Sequence, residues 1–316
     1  MKIGLITGEY PPRQGGVGDF TRELAQAMIA LGHEVHVITG RQPCAKLQDA
    51  NTKLKEDGIV AHRSITSWGI GCWAQIAKIA RENYLEILNI QYEPAAYAGQ
   101  VGINFLPNRL IRRSIQLPIV TTFHDLLVPY LFPMAGPLRR KVVDYLARQS
   151  DAVIVTNEED QSRLQTPTSR RSLVPIGSNI DPKRLIDFDL QGARAQWRIQ
   201  TDEMVIGYFG FLSASKGGEV LIHALKLLAD HNLPVKLMLI GGRTGSSDPS
   251  NAKYAAQVER LIESSWLKEC VIETGYLDSP EVSRALMACD VVALPYQDGA
   301  SIRRGSLLAA IAHQRA

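Results

Sequence analysis

The sequence predicts an α/β fold with two domains, each built on a parallel sheet covered by helices. Short apolar runs of strand length alternate with helix-period patterns in both halves, and this alternation is typical of βαβ units with right-handed crossovers. In each half, a glycine-marked turn joins the first strand to the first helix. The length of 316 residues exceeds one typical hydrophobic core and suits two.

The first half opens with a βαβ pattern. The apolar run Lys2–Thr7 predicts a buried strand. A loop rich in proline and glycine follows, and then a helix whose apolar face extends over Phe20–Leu31. Gly32 is placed to end this helix in a left-handed conformation, and Glu34–Thr39 predicts the second strand.

Four more apolar runs in this half predict strands that are buried on both faces. The carboxyl ends of parallel strands are where ligands bind in open α/β sheets. Polar clusters at those ends are therefore candidate ligand contacts. The runs are Ile87–Ile90, Ile119–Phe123, Ala152–Val155 and Leu173–Gly177, and the first three lead into Gln91-Tyr92-Glu93, His124-Asp125 and Asn157–Asp160.

The pattern becomes polar and irregular between Asp181 and Glu203. We therefore predict a first domain over 1–185, a linker over 186–202 and a second domain over 203–316. In the second domain a helix is expected to begin at Ser279-Pro280, with Ser279 as its cap. We expect roughly four strands before the last residue. A complete doubly wound domain usually has one or two further βα units, so we expect this domain to be incomplete. Three of these strands are Val205–Phe209, Val235–Ile240 and Val291–Leu294.

Composition excludes several classes of protein. The 35 basic and 32 acidic residues are interspersed, which disfavours a nucleic-acid binder with a basic stripe. The first apolar run is too short for a signal peptide or a membrane span, although peripheral contact with a membrane remains open. We expect a cytoplasmic protein without a disulfide framework or a zinc site, because no C-x-x-C spacing occurs among Cys44, Cys72, Cys270 and Cys289.

The first glycine-marked corner is Gly15-Gly16-Val17-Gly18, between a strand and a helix. Glycines there allow a ligand to approach the backbone, and the helix start offers N–H groups to an anion. The alternative is a tight turn that only connects two elements. The corner lacks the dinucleotide fingerprint, and the second strand ends in Thr39-Gly40-Arg41 rather than in an acid for a ribose. A dehydrogenase is therefore disfavoured.

Two more corners carry basic residues. Lys216 lies within the turn Gly210–Gly218, where its ammonium and a helix start are suited to a diphosphate. Arg303 and Arg304 precede the small apolar helix Leu307–Ala312 and suit an anion cradle. In each case the alternative is a solvated surface turn.

His124 follows an apolar strand and is expected at the edge of a cleft. There it is suited to donate to a sugar or to shuttle a proton, and the alternative is a structural histidine. Patterns of serine proteases, zinc hydrolases and P-loop kinases are absent from the sequence.

An ordered set of motifs resembles the retaining glycosyltransferases of family 4. Each motif is loose, but their order along nearly the whole chain is fairly specific. The motifs are Gly8-Glu9-Tyr10-Pro11-Pro12 with Gly15–Gly18, Leu31–Val35, Phe123-His124-Asp125, Val174–Gly177, Gly210 to Lys216-Gly217, Glu273–Tyr276, and Ala288–Val291 to Leu294-Pro295.

The resemblance implies a GT-B fold, in which two Rossmann-like domains face each other across a cleft. It implies donor binding mainly by the second domain, acceptor binding mainly by the first, and metal-independent transfer of a sugar with retention. No cofactor is expected, because the nucleotide-sugar donor is itself a substrate; the acceptor is a glycan, a lipid or a small molecule.

The same resemblance assigns roles to individual positions. It places the Gly16 loop against the donor phosphates and the acceptor, His124 on the transferred sugar and Lys216 on the diphosphate leaving group. The full candidate set comprises His124 and Lys216 as catalytic residues; Gly16, Gly210, Lys216, Gly217, Arg303, Arg304 and Ser306 for the donor and its phosphates; and Glu9, Gly15, Val17, Tyr92, Asp125, Asp298 and Ser301 for the sugar or acceptor.

Three departures from the family pattern affect this assignment. Phe211 stands where the family usually has an arginine, and Ser301 and Ala309 stand where it usually has two glutamates. The family's last strands and its final helix are not represented. An active variant would use Asp298, Arg303 or Arg304 for donor contacts. The alternatives are a diverged non-catalytic nucleotide-sugar-binding protein and a nucleotide-sugar epimerase.

Overall fold

The structure is a computed structural model that describes residues 1–41, 53–126, 136–164, 171–182, 188–242, 249–263 and 266–315. It divides into two compact units, Met1–Pro175 and Ile176–Ala316. This division falls earlier in the chain than the predicted limit at 185. The predicted domain limits and the linker over 186–202 stay predictions, and residues 183–187 of that region lie outside the described residues.

The described part of the first unit contains an eight-stranded sheet. Its strands are β1 (Lys2–Thr7), β2 (Glu34–Gly40), β3 (Lys53–Glu56), β4 (Ile59–Ile65), β5 (Ile87–Tyr92), β6 (Ile119–Phe123), β7 (Ala152–Val155) and β8 (Arg171–Leu173). They are arranged in the order β3-β4-β2-β1-β5-β6-β7-β8. Every neighbouring pair is parallel except β3 with β4.

Helices cover both faces of this sheet, as parallel strands require. They are α1 (Gly16–Ala30), α2 (Cys72–Glu82), α3 (Arg109–Arg112), α4 (Gly136–Gln149) and α5 (Glu158–Arg163). Strand β1 lies between β2 and β5, with Ile3 opposite both Val35 and Ile87. Leu5 packs in the core that includes Ala25 of α1, whereas Ile6 packs in the core that includes Ile76 of α2.

The second unit has a smaller parallel sheet. Its strands are β9 (Met204–Phe209), β10 (Val235–Ile240), β11 (Val271–Gly275) and β12 (Val291–Val292), in the order β11-β10-β9-β12. Two hydrophobic clusters lie against it, one around Leu225 and Leu237 and one around Met238 and Leu286. The helices are α6 (Leu190–Gln196), α7 (Gly218–Asp230), α8 (Pro249–Glu263), α9 (Ser279–Ala288) and α10 (Gly305–Ala312).

Most predicted elements are confirmed, among them Lys2–Thr7, Ile119–Phe123, Ala152–Val155 and Val235–Ile240. Gly32 has the predicted left-handed conformation, with φ +85°. The described part of the second unit has the four strands expected of it.

Other predicted boundaries are wrong. The strand expected over Leu173–Gly177 is Arg171–Leu173, and the one expected over Val291–Leu294 ends at Val292, because pairing with β9 stops at that residue. The cap of α9 is Asp278 rather than Ser279, since the Asp278 carboxylate accepts from the main-chain N–H of Glu281 at 3.0 Å. The region predicted as irregular contains α6, which Asp189 caps.

Candidate functional site

The first glycine-marked corner contains a buried carboxylate. Gly15 caps α1 and Gly16 begins it, so Gly16 and Gly18 lie in the first turn of the helix rather than in a loop before it. Glu9 is 2% exposed, and its Oε1 accepts from the main-chain N–H groups of Val17 at 3.1 Å and Gly18 at 3.4 Å. A Cβ at Gly15 would lie 2.1 Å from the Glu9 carboxyl group. Glycine at 15 therefore makes room for this carboxylate.

This contact changes the interpretation of the first corner. Two of the N–H groups expected to meet an anion already donate to Glu9, which satisfies the start of α1 from within the fold. Gly16 is exposed, and a Cβ there would meet open space. The candidate contacts Glu9, Gly15 and Val17 are thus engaged with one another, and their predicted roles toward substrate stay predictions.

More carboxyl groups lie near Glu9. The pKa of Glu93 is raised to about 8, first by burial and then by Glu9 and Asp125. The pKa of Asp19 is raised to about 6, mainly by burial, with the Glu9 and Glu23 charges adding to the rise and Arg22 opposing it. Burial and the neighbouring carboxylates thus disfavour further negative charge at this edge of the first unit, and Glu93 is largely protonated at pH 7.

His124 follows β6 directly, as predicted. Its main-chain N–H donates to the Tyr92 carbonyl at 3.0 Å, and its Nε2 lies 2.9 Å from Gln91 Oε1. The ring of Phe20 meets the imidazole edge to face at a centroid distance of 4.7 Å. Burial lowers the pKa of His124 to about 4, so the imidazole is neutral at pH 7.

Beside His124, a cavity of about 300 Å³ opens at the ends of β5 and β6. Tyr92 and Asp125, both predicted acceptor contacts, line it together with Asn104 and Arg139. The Asn104 amide donates to the Tyr92 hydroxyl at 2.7 Å. Burial raises the pKa of Tyr92 to about 12, so its hydroxyl keeps its proton. Carboxylate, guanidinium, amide and hydroxyl groups around one cavity are suited to bind a polyhydroxylated ligand.

The second corner brings Lys216 against the end of β9. Gly210 has φ +120°, and a Cβ there would lie 2.7 Å from Lys216 Nζ. Gly217 has φ +69°, and its Cβ would lie 2.1 Å from the Pro295 carbonyl oxygen. Only glycine combines this left-handed backbone with so close a contact. Lys216 itself closes a short 3₁₀ turn, Ala214–Lys216, just before α7.

The third corner packs directly on the second. The main-chain N–H of Gln297 donates to the Ser215 carbonyl at 2.8 Å. Arg304 stacks over the Tyr296 ring at 4.3 Å and pairs with Asp298. The Tyr296 hydroxyl and Ser306 Oγ share a hydrogen bond of 2.7 Å. The predicted donor contacts of two separate segments are thus one cluster.

This cluster is cationic. Burial, and then the Arg304 charge, lower the pKa of Lys216 to about 8. No carboxylate in the described ranges forms an ion pair with Lys216 or raises its pKa, whereas Asp298 offsets the charge of Arg304. We call Lys216, Arg304, Tyr296, Ser306 and Gly210 the basic corner. Its unbalanced charge is suited to an anion such as a diphosphate.

A second cavity, of about 310 Å³, adjoins the basic corner at the ends of β9, β10 and β11. Gly210 and Gly241, both with positive φ, line it with Glu273 and Tyr276. Sequence reasoning did not single out Glu273 and Tyr276 as ligand contacts. Glu273 lies near the carboxyl end of β11 and Tyr276 directly follows it, and this edge, where ligands bind, was the signal that could have identified them.

The positions that depart from the family pattern have structural roles here. Ala309 is fully buried in the core of the second unit. The Ser301 carbonyl accepts a hydrogen bond from the main-chain N–H of Arg304 at 3.0 Å. Phe211 is half-buried, and its carbonyl accepts from the Tyr208 hydroxyl at 3.1 Å. The main-chain N–H of Arg303 lies 3.5 Å from Ser301 Oγ in the same turn.

A metal-binding cluster and a membrane-spanning helix are both absent from the described residues. No group of three or more histidine, cysteine, aspartate or glutamate side chains is arranged to hold a metal ion. None of the helices described combines the length and the apolar character that crossing a bilayer requires.

Two sequence families match the chain. The family described as Glycosyltransferase Family 4 matches residues 14–183, and the one described as Glycosyl transferases group 1 matches residues 191–302. An uncharacterized glycosyltransferase of Methanocaldococcus jannaschii is 24% identical over 93% of this chain and 74% of the relative. A phosphatidyl-myo-inositol mannosyltransferase of Propionibacterium freudenreichii is 22% identical over 92% of this chain and 75% of the relative.

Solved structures share the fold. Sucrose-phosphate synthase from Thermosynechococcus elongatus superposes with a TM-score of 0.72 at 20% identity, covering 94% of this chain and 75% of that chain. HepE of Anabaena, in complex with UDP-glucose, superposes with a TM-score of 0.67 at 19% identity, covering 93% and 73%. These similarities confirm the predicted fold class of two Rossmann-like domains with parallel sheets.

Proposed function

Because this chain belongs to Glycosyltransferase Family 4 and is a glycosyltransferase, we propose that it moves a sugar from a nucleotide-sugar donor to a hydroxyl acceptor with retention at the anomeric carbon. The diphosphate of the donor binds at the basic corner of the second unit. The acceptor binds in the cavity beside Tyr92 and Asp125 of the first unit. His124 contacts the transferred sugar.

The observation that carries this proposal is the environment of Lys216. A half-buried ammonium without a carboxylate partner among the described residues is costly to the fold, and a bound anion removes that cost. Arg304 adds a planar guanidinium next to it, which matches phosphate oxygens in pairs. These two cations support a nucleoside diphosphate as the ligand.

The chemistry follows from where charge develops. As the bond between the anomeric carbon and the donor phosphate oxygen breaks, negative charge accumulates on the departing diphosphate. Lys216 and Arg304 are already positioned for this charge, so they stabilise the transition state without reorganisation. We propose that these protein cations do the work without a metal ion. Full activity in the presence of EDTA is the expected result.

The acceptor cavity is suited to hydroxyl groups, because it carries charges of both signs beside neutral polar groups. Asp125 and Asp144 line it together with Arg139, Arg140 and Arg163. The cavity lined by Tyr92, Asp125, Asn104 and Arg139 offers donors and acceptors to a sugar or a polyol. The name of the Propionibacterium relative includes phosphatidyl-myo-inositol, a lipid whose head group carries a polyol ring. A lipid with a hydroxyl-rich head group is therefore the first acceptor class to test, followed by soluble glycans.

A thermal-shift screen against UDP-, GDP- and ADP-sugars tests donor binding. Selective stabilisation is expected from one nucleotide class, because a ligand at a hundred times its Kd raises stability by about 2.7 kcal/mol. UDP-glucose is the first donor to screen, since HepE was solved with it. Identical melting curves with all donors would contradict the proposal.

Donor-only reactions distinguish the alternatives. Slow hydrolysis of the sugar nucleotide, with the anomeric configuration retained in the released sugar, supports a retaining transferase. Binding without any turnover would favour the diverged binding protein, and an isomerised nucleotide sugar would favour the epimerase. Inverted product would contradict retention.

A cytoplasmic location is also part of the proposal. Cys72, Cys270 and Cys289 are free thiols, which suits a reducing compartment. Cell fractionation is expected to recover the protein with the cytoplasm, including protein that adheres loosely to the membrane and is released by salt. Recovery from an oxidising compartment would contradict it.

A further inference from the structure

A buried amide beside His124 has no role in the function proposed so far. Gln91 is fully buried at the end of β5, where an apolar side chain would normally lie in a parallel sheet. Both ends of its side chain are hydrogen-bonded: Oε1 lies 2.9 Å from His124 Nε2, and Nε2 donates to Asn89 Oδ1 at 2.8 Å. The position needs this polar group for a reason other than packing.

The next residues along the chain of hydrogen bonds favour one orientation of this amide. Asn89 Oδ1 also accepts from the Thr122 hydroxyl at 3.0 Å, so two donors converge on one carbonyl oxygen. With Asn89 in this orientation, the NH₂ group of Gln91 faces Asn89, and its carbonyl oxygen faces His124. Because an amide oxygen only accepts hydrogen bonds, this arrangement favours a hydrogen on His124 Nε2.

The consequence for His124 concerns its other nitrogen. A neutral imidazole has one N–H, so a hydrogen on Nε2 leaves Nδ1 with a lone pair. Nδ1 has no hydrogen-bond partner among the described residues. Phe20 meets the ring edge to face and helps to keep it in this plane. The imidazole then offers an acceptor, not a donor, to whatever binds beside it.

We propose that Gln91 is a positioning residue: it selects the tautomer of His124 in which Nδ1 accepts a hydrogen bond from a hydroxyl group of the transferred sugar. Asn89 and Thr122 hold Gln91 in the orientation that this requires. The inference rests on the proposed contact between His124 and the sugar, and it specifies which nitrogen makes that contact. It also assigns to His124 the role of acceptor rather than of acid.

The first test is spectroscopic. In protein labelled with ¹⁵N-histidine, long-range ¹H–¹⁵N correlations identify the nitrogen that carries hydrogen, and His124→Asn assigns the signal. At pH 7 the wild type is expected to show a single tautomer with hydrogen on Nε2. Gln91→Met is expected to give a mixture of tautomers. Gln91→Glu, which keeps an acceptor oxygen, is expected to retain the hydrogen on Nε2.

The second test is kinetic and uses the donor identified in the screen. Gln91→Met is expected to lower kcat about tenfold with a donor KM within about twofold, because a misassigned tautomer removes one oriented contact. The matched control is Gln75→Met on α2, where the Gln75 amide donates to the Thr66 hydroxyl; this variant is expected to leave kcat unchanged. Circular dichroism and melting temperature check the fold of each variant.

The outcomes separate this inference from the proposed function. Hydrogen on Nδ1 in the wild type, or an unchanged tautomer and kcat in Gln91→Met, would overturn the positioning role. If His124→Asn itself retains full transfer activity, the assignment of His124 to the sugar fails first. Loss of activity in His124→Asn together with wild-type behaviour of Gln91→Met overturns only the role of Gln91.

Discussion

The two glycine-marked corners, one in each unit, look alike in sequence and differ in charge. Both join the end of a buried parallel strand to the start of a helix. In the first, the Glu9 carboxylate occupies the helix start. In the second, Lys216 lies against Gly210 with Arg304 nearby. The first corner holds an internal anion. In the second, Asp298 pairs with Arg304, but no carboxylate of the described residues pairs with Lys216.

This difference teaches where an external anion is stabilised. A helix start attracts negative charge through its free N–H groups. Once a buried carboxylate accepts hydrogen bonds from those N–H groups, they no longer attract an external anion. Burial, with the Glu9 charge adding to it, raises the pKa of Asp19 and of Glu93, so further negative charge is unfavourable around Glu9. The diphosphate therefore belongs to the second corner, and hydroxyl ligands suit the first.

The largest expected effect comes from removing the unpartnered cation. Lys216→Ala is expected to lower kcat/KM for transfer at least about a hundredfold, or about 3 kcal/mol, because it removes charge from the leaving-group site. The fold is expected to remain intact. The matched control is Lys226→Ala on α7, whose lysine pairs with Asp230 on the surface. A loss within about threefold, which is under about 1 kcal/mol, would exclude Lys216 as the diphosphate contact.

Arg304 is expected to contribute less, since Asp298 already offsets its charge. We predict that Arg304→Ala lowers kcat/KM about twentyfold, through the lost guanidinium and the unpaired Asp298 carboxylate that remains. Arg284→Ala serves as control, because Arg284 pairs with Glu281 on α9. Steady-state rates at matched donor concentrations provide the measurement. Equal rates for Arg304→Ala and Arg284→Ala would show that Arg304 does not contribute to the function of the basic corner.

The pKa of Lys216 predicts how activity depends on pH. The free enzyme loses the ammonium charge as pH rises through about 8, so kcat/KM is expected to fall about tenfold per pH unit above that value. A bound diphosphate favours the charged form, so the fall in kcat is expected at higher pH. Lys216→Arg keeps its charge throughout this range and should lose the alkaline fall. An unchanged profile in this variant would assign the fall to another group.

The smallest predicted effect concerns stability at the first corner. Glu9→Ala leaves the N–H groups of Val17 and Gly18 without their acceptor and is expected to cost about 1–2 kcal/mol. Glu9→Gln keeps one acceptor oxygen and should cost less. Thermal unfolding and amide hydrogen exchange at Val17 and Gly18 measure the two variants. Wild-type exchange rates in Glu9→Ala would show that the carboxylate does not hold the start of α1.

Sequence patterns predicted the parts of the fold that depend on local periodicity. Lys2–Thr7, the helix around Phe20–Leu31 and Val235–Ile240 have apolar spacings that only one type of element fits. Strand β4 was missed because buried polar residues, His62 and Arg63, interrupt its apolar pattern. Neither histidine nor arginine is expected inside a sheet unless its polar groups are paired.

The site was predictable in composition but not in arrangement. Lys216 and Arg304 were both identified from their glycine-rich surroundings. Lys216 and Arg304 lie in one cluster because segments distant in sequence contact each other, Gln297 with Ser215 and Pro295 with Gly217. Glu9 was named as a candidate contact, but its hydrogen bonds to the start of α1 were missed for a similar reason, since a turn must bring the carboxylate back onto the helix start. Local spacing does not encode such approaches.

Calorimetric titration with UDP tests the central claim most directly, because this ligand contains the diphosphate but no sugar. If the basic corner binds the diphosphate, Lys216→Ala raises the Kd at least about tenfold, which corresponds to about 1.4 kcal/mol, while Lys226→Ala leaves it unchanged. Equal Kd values for wild type and Lys216→Ala, in protein that binds UDP, would contradict the account.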